Sequence, residues 1–113
     1  MFCHADVGRL RVRVDPDRYM TAVGGDVTFH CIITGNGRNS ADIRWMRADG
    51  RPLAEHAITR GQLLIMRRVE STDEGRYICV ATTAYGRSQA EAQLTISGNV
   101  SFLLHFYNCV VLN

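Results

Sequence analysis

An all-β sandwich of two facing sheets is the fold class this chain predicts, and three observations predict it. The runs Leu10–Val14 and Val27–Ile33 alternate apolar and polar residues with period two, as half-buried strands do. Turn chemistry at Gly24-Gly25, Asp49-Gly50 and Tyr85-Gly86 separates runs of this kind. The stretch Asp73-Glu74-Gly75-Arg76-Tyr77-Ile78-Cys79 then sets the requirements of one sandwich corner at fixed offsets. Cys79 needs a partner across a core. Tyr77, on the same strand face, can return its hydroxyl to the backbone near Asp73 as a tyrosine corner, and Gly75 permits a tight reversal between them.

Length and composition bound the rest. At 113 residues, 46% of them apolar, the chain has room for one domain with one core. A formal charge of +2 gives no push toward nucleic acid or an acidic membrane surface. All thirteen basic residues are arginine. Codon usage in a GC-rich gene produces such a bias; the other reading is that arginine was favoured for two-pronged contact with sulfate or carboxylate.

The elements follow in order. Residues 1–8 show neither period nor turn chemistry and read as an irregular leader. Cys3 beside His4 has no second pair at metal-ligand spacing. Leu10, Val12 and Val14 face the core from a first, edge strand, with Arg9, Arg11 and Arg13 outward. Pro16 breaks its ladder, and Met20-Thr21-Ala22 resumes along the opposite sheet. Val27, Phe29, Cys31 and Ile33 point inward from the next strand, with His30 outward. The polar loop Gly35–Ser40 leads to a strand on which Ile43 and Trp45 face the core. Asp49-Gly50 predicts a primed hairpin turn with a short strand over Arg51–Leu53 after it. Glu55–Arg60 reads as a short or irregular strand, and Gln62–Met66 as a better one whose near-continuous apolar run leaves its register open. Glu70–Asp73 is a helical-turn crossover. Tyr77, Cys79 and Ala81 face inward from the strand over 76–83, and Ala90, Ala92, Leu94 and Ile96 from the last.

Taken together, Gly25-x-Val27-x-Phe29-x-Cys31, Ile43-x-Trp45 running into Asp49-Gly50-Arg51-Pro52-Leu53, Leu64-x-Met66-x-x-Val69, the Asp73–Cys79 stretch and Cys79-Val80-Ala81 closing on Tyr85-Gly86 resemble an immunoglobulin domain of the I-set type. The pattern is most similar to the repeats of perlecan-type basement-membrane proteoglycan, and the I-set type also occurs in adhesion receptors and giant muscle proteins. The resemblance covers residues 9–97, leaving 98–113 as an apolar tail. It implies a Greek-key sandwich of two antiparallel sheets. It also implies a Cys31–Cys79 disulfide, with Trp45 packed directly on it and Tyr77, Asp73, Gly75 and Leu64 as the remaining core signature. Aligning Leu64, Met66 and Val69 on the core leaves Leu63 and Ile65 partly exposed, a possible contact patch. Asp73 should pair with a cation, for which Arg60 is the candidate. The family has asparagine where this chain has Thr83, so the side-chain hydrogen bond at that turn is at stake.

No serine, histidine or carboxylate sits in a catalytic motif, Asp73 and Glu74 point apart on an extended chain, and no Gly-rich phosphate loop precedes a helix. The histidines at 4, 30, 56 and 105 share no ligand spacing. The reading is a non-enzyme without metal or other cofactor. What the resemblance implies is an extracellular interaction module that contacts matrix or cell-surface proteins and does not bind nucleic acid. The alternatives are a structural spacer of a muscle-type giant protein or an ectodomain module of an adhesion receptor. Its disulfide belongs outside the cell, yet Met1–His4 lacks the apolar run of a signal peptide. A fragment of a longer secreted or matrix protein reconciles the two.

Arg9, Arg11 and Arg13 protect the edge strand or, alternatively, bind sulfated glycosaminoglycan. Val100–Asn113 is too short to span a bilayer as a helix of about 20 residues. It reads as translated intron or a truncated gene end, as the start of a cut-off membrane segment, or as an extra strand. Asn99-Val100-Ser101 is a glycosylation sequon, and Cys109 has no evident partner.

Overall fold

The computed structural model describes residues 9–97, whose regular structure is strand apart from two 3-10 turns, Arg38–Ser40 and Ser71–Asp73. In chain order the strands are β1 (Arg11–Asp15), β2 (Arg18–Ala22), β3 (Val27–Thr34), β4 (Asp42–Arg47), β5 (Ile58–Arg60), β6 (Leu63–Met66), β7 (Gly75–Thr83) and β8 (Gly86–Ser97). They form two four-stranded sheets, ordered β1-β3-β6-β5 and β2-β8-β7-β4. Strands consecutive in sequence, such as β3 and β4, lie in different sheets, which is the Greek-key crossing of a sandwich.

Every pairing is antiparallel except that of β2 with β8, which is parallel. The cause is local to the first strand. Pro16 has no N–H to give to a ladder. After Asp15 the chain therefore leaves β3 and continues without reversing, so that the direction that opposes β3 runs along β8.

The alternation of each strand decides what is buried. Val27, Phe29, Cys31 and Ile33 of β3, Leu64 and Met66 of β6, and Tyr77, Cys79 and Ala81 of β7 all reach the core. Leu10, Val14, Trp45, Val69, Ala92 and Leu94 complete it, with Val12, Ile43, Ala90 and Ile96 half-buried against its margin. Burying each large aliphatic or aromatic side chain stabilises the fold by roughly 1.5–3 kcal/mol before conformational entropy is counted. Leu63 and Ile65 remain half-buried on the outer face, with exposed Ile58 directly opposite Ile65.

Two local expectations fail between Arg47 and Arg60. No strand forms over Arg51–Leu53, and the turn at Asp49-Gly50 is not a primed hairpin turn. The backbone N–H of Gly50 closes onto the Arg47 carbonyl (3.2 Å), and only Gly50 takes a positive φ, +86°. The Asp49 carboxylate instead accepts the Arg51 backbone N–H (3.0 Å), which bends the chain away, and Pro52 has no donor with which to rejoin β4. At the other end of the segment the expected short strand does form, as β5, on the edge beside β6.

Candidate functional site

The one place where charged and polar groups converge inside the described residues is the corner between β4, β7 and the turn over Ser71–Asp73. Strand parity builds it: Arg47 follows Ile43 and Trp45 on the inward face of β4, and Tyr77 is its register partner on β7. The Tyr77 hydroxyl donates to the Asp73 carbonyl oxygen (2.6 Å), the tyrosine corner. It also accepts from Arg47 Nη1 (2.7 Å). The same guanidinium donates to the Asp73 carbonyl (3.4 Å), to the Glu74 carbonyl (3.0 Å) and to the Asp49 carboxylate (3.1 Å), and it lies 5.2 Å from the centre of the Tyr77 ring. Arg47 is only 6% exposed, and its many partners explain why a full charge is tolerated there.

Gly75 belongs to this cluster for a reason other than a chain reversal. It opens β7 with φ +150°, and a Cβ on it would come within 2.8 Å of Arg47 Nη2. The reversal itself is made by the turn over Ser71–Asp73. Gly75 is the space into which the guanidinium fits.

Asp73 does not pair with Arg60, which is exposed at the end of β5. Its carboxylate oxygen Oδ2 accepts the Glu70 backbone N–H (2.8 Å) as half of a capping box, and the ring nitrogen Nε2 of His56 lies 2.9 Å from the same oxygen. The 55–57 segment runs closer to this corner than β5 does, so a histidine takes the place of the expected arginine. At the far end of β7, Thr83 does supply a side-chain bond: its Oγ1 accepts the Tyr85 backbone N–H (3.0 Å), holding the β7–β8 turn without asparagine.

The electrostatics are those of a clamp. The hydrogen bond with Asp49 raises the Arg47 pKa further above its ordinary value, outweighing the opposing effect of burial. The bonds from Arg47 and from the Arg51 backbone hold the Asp49 carboxyl well below the usual carboxylate range. Burial pushes the Tyr77 phenol up, with the Arg47 charge working against it. Among the described residues the single fully buried side-chain N or O without a hydrogen-bond partner is Trp45 Nε1, which lies outside this cluster of bonds.

Two predictions arise here. Tyr77→Phe should lower the unfolding free energy by about 1–2 kcal/mol in urea titration, because it removes one buried bond and leaves Arg47 Nη1 with only its long contact to the Asp73 carbonyl. The Asp49 pKa is depressed in the folded state, so its contribution is present above about pH 4, the unfolded carboxylate range, and is lost as pH falls below that. Thermal melts from pH 6 down to pH 2 should fall more steeply for the parent chain than for Asp49→Asn. Equal slopes would show that the ion pair contributes nothing.

The other residues singled out in the sequence lie elsewhere. The bridge joins Cys31 of β3 to Cys79 of β7, with Cα atoms 6.3 Å apart, and so links the two sheets. Trp45 stands opposite Cys79 in the β4–β7 ladder, its ring centre 6.4 Å from that of Phe29. Arg11 and Arg13 are exposed on β1, opposite Thr34 and Ile32, with Arg9 exposed just before them. Asn99, Cys3 and Cys109 lie outside the described residues. Within those residues no group of three metal-ligating side chains occurs and no helix is long and apolar enough to cross a membrane.

Sequence reading missed Arg47 and His56. Arg47 was within reach, because it shares parity with Ile43 and Trp45. His56 carried no such signal: its contact is made by an irregular segment that has no period.

The comparisons agree with this architecture. The family model for the immunoglobulin I-set domain matches residues 10–96. The mouse basement membrane-specific heparan sulfate proteoglycan core protein is 29% identical over 94 residues, which cover 83% of this chain and 2% of that protein. Human contactin-4 is 35% identical over 82 residues, 71% of this chain and 8% of that one. Each of these relatives is thus far longer than the segment it shares. Among solved structures, the three-domain ectodomain of mouse nectin-like molecule 4 superposes with a TM-score of 0.66 at 26% identity, over 80% of this chain and 32% of that chain.

Proposed function

From the premise that this chain belongs to the immunoglobulin I-set family, we propose that it is a non-catalytic extracellular module which contacts matrix or cell-surface proteins. In this reading residues 9–97 are the folded module, preceded by a leader over 1–8 and followed by an apolar tail over 98–113. The parent is a longer secreted or matrix protein of the basement-membrane proteoglycan kind. The observation that carries the reading is the buried Cys31–Cys79 bridge between the sheets, a bond that persists in oxidising compartments. The relatives in basement-membrane proteoglycan support the same compartment. The corner chemistry supports the absence of catalysis, since the Arg47 guanidinium and the Tyr77 hydroxyl are occupied by one another and by backbone carbonyls.

The similarity to contactin-4 and to the nectin-like ectodomain favours a second setting, a module of an adhesion receptor, with the same kind of contact. Thiol titration of the protein from its native source separates both from a spacer in a cytoplasmic giant protein. Cys31 and Cys79 should be unreactive until a reductant is added. Free thiols at both positions would remove the extracellular reading.

A sulfated glycosaminoglycan is proposed as an additional, weak ligand of Arg9, Arg11 and Arg13. All three are exposed, and none joins an ion pair among the described residues. On a heparin column the triple change to serine should elute at distinctly lower salt than the parent chain, because each lost cation removes a counterion-releasing contact. Elution at the same salt would dismiss the ligand.

A further inference from the structure

Two dipeptides of this chain have the chemistry to rearrange without an enzyme, Asn36-Gly37 and Asp49-Gly50. In each, a side-chain carbonyl carbon is followed directly by a glycine nitrogen that no Cβ shields. The fold ties one of them down. The Gly50 N–H is bound to the Arg47 carbonyl (3.2 Å), and the Asp49 carboxylate is held by Arg47 Nη2 (3.1 Å) and by the Arg51 backbone N–H (3.0 Å). The other is left free. Asn36 is exposed in the loop between β3 and β4, and among the described residues neither its side-chain amide nor the Gly37 N–H has a hydrogen-bond partner.

The packing of Gly37 keeps that nitrogen bare. Its φ is +83°, and a Cβ on it would come within 3.1 Å of Thr83 Cβ and of Tyr85 Cδ2 in the β7–β8 turn, so the site that needs a small neighbour for Asn36 also forbids a larger one. Asn39-Ser40 is the internal contrast. Asn39 is exposed as well, but the Ser40 N–H is bound to the Gly37 carbonyl (3.0 Å).

We propose that Asn36 is a self-modifying site, at which the Gly37 nitrogen closes on the side chain and the amide is exchanged for a carboxylate. The Gly37 nitrogen gives up its proton to solvent base and bonds to Asn36 Cγ. The bond from Cγ to the amide nitrogen breaks, and ammonia leaves with a proton returned to it from solvent. Water, the co-reactant, then opens the cyclic imide. Addition at Cγ restores the ordinary peptide with aspartate at position 36. Addition at the main-chain carbonyl carbon leaves the Gly37 nitrogen joined to Cγ, an isoaspartyl linkage longer by a methylene. Either product lowers the formal charge of +2 by one unit. It also sets a carboxylate shortly before Arg38, in the loop that packs on the turn where Tyr85 is 77% exposed. The isoaspartyl form additionally displaces Gly37 from its seat against Thr83 and Tyr85. None of this depends on the interaction-module reading, since a spacer domain would undergo the same step.

The test is incubation of the full chain, bridge intact, at neutral pH and body temperature. Tryptic mapping by mass spectrometry and methyl transfer from a protein-isoaspartate methyltransferase read the outcome, and a sample digested without incubation sets the background. The peptide ending at Arg38 should divide into the amide and two separable acid forms, one of which accepts the methyl group. Conversion should run within about tenfold of that in the urea-unfolded, reduced chain, because exposed loops open locally at little cost. The peptide beginning at Asn39 should keep its amide over the same period. Asn36→Gln, whose longer side chain closes such a ring far more slowly, should lose the methyl-accepting form of its peptide and, as an exposed change, should melt with the parent. A folded chain that holds Asn36 as the amide while the unfolded chain loses it would overturn the proposal. So would conversion of Asn39 as fast as that of Asn36, by showing that the free N–H does not select the site.

Discussion

Replacing Trp45 with alanine should lower the unfolding free energy by about 3–5 kcal/mol, the largest loss expected from any single substitution in this chain. The indole is 8% exposed, stands opposite Cys79 and is packed among Phe29 and the β3 and β7 side chains, so its removal opens a cavity against a cross-linked, rigid neighbourhood that relaxes little. The indole N–H has no hydrogen-bond partner in the protein. The loss is therefore one of packing alone, and Trp45→Phe should recover more than half of it. Urea unfolding followed by far-ultraviolet circular dichroism decides the matter. For a domain of this size the alanine variant should melt more than about 12 °C lower. A loss below about 1 kcal/mol would mean that the ring is not part of the core.

Removing the bridge by changing Cys31 and Cys79 together to alanine should cost about 4 kcal/mol, the chain-entropy value for a closed loop of this length. The two cysteines are 48 residues apart, and both are fully buried. The parent chain should melt far lower with dithiothreitol than without it, and the double variant should be indifferent to the reductant. Indifference in the parent would show that the bridge does not constrain the unfolded chain. The two losses should not add. Trp45 and Cys79 are ladder partners, and a triple variant should fall short of the sum because the space left by one loss lets the other side relax.

The corner at Arg47 shows how buried polarity in this fold goes with immobility. The guanidinium touches a carboxylate, two carbonyls and a phenol at once, and a Cβ on Gly75 would intrude on it. Such a group can neither reach a ligand nor give up its proton at physiological pH.

The sequence by itself determined which residues face inward, from Val27, Phe29, Cys31 and Ile33 through Tyr77, Cys79 and Ala81 to Ala92 and Leu94, because the period-two alternation of a strand is a local property. It also determined the corner hydroxyl, since Tyr77 and Asp73 are four residues apart and the bond between them follows from one turn. Only the tertiary structure decided that Asp73 meets His56 instead of Arg60 and that Gly75 makes room for Arg47. Each of these depends on how closely two segments distant in sequence approach. Such distances are set by the packing of whole sheets, which no window of neighbouring residues encodes.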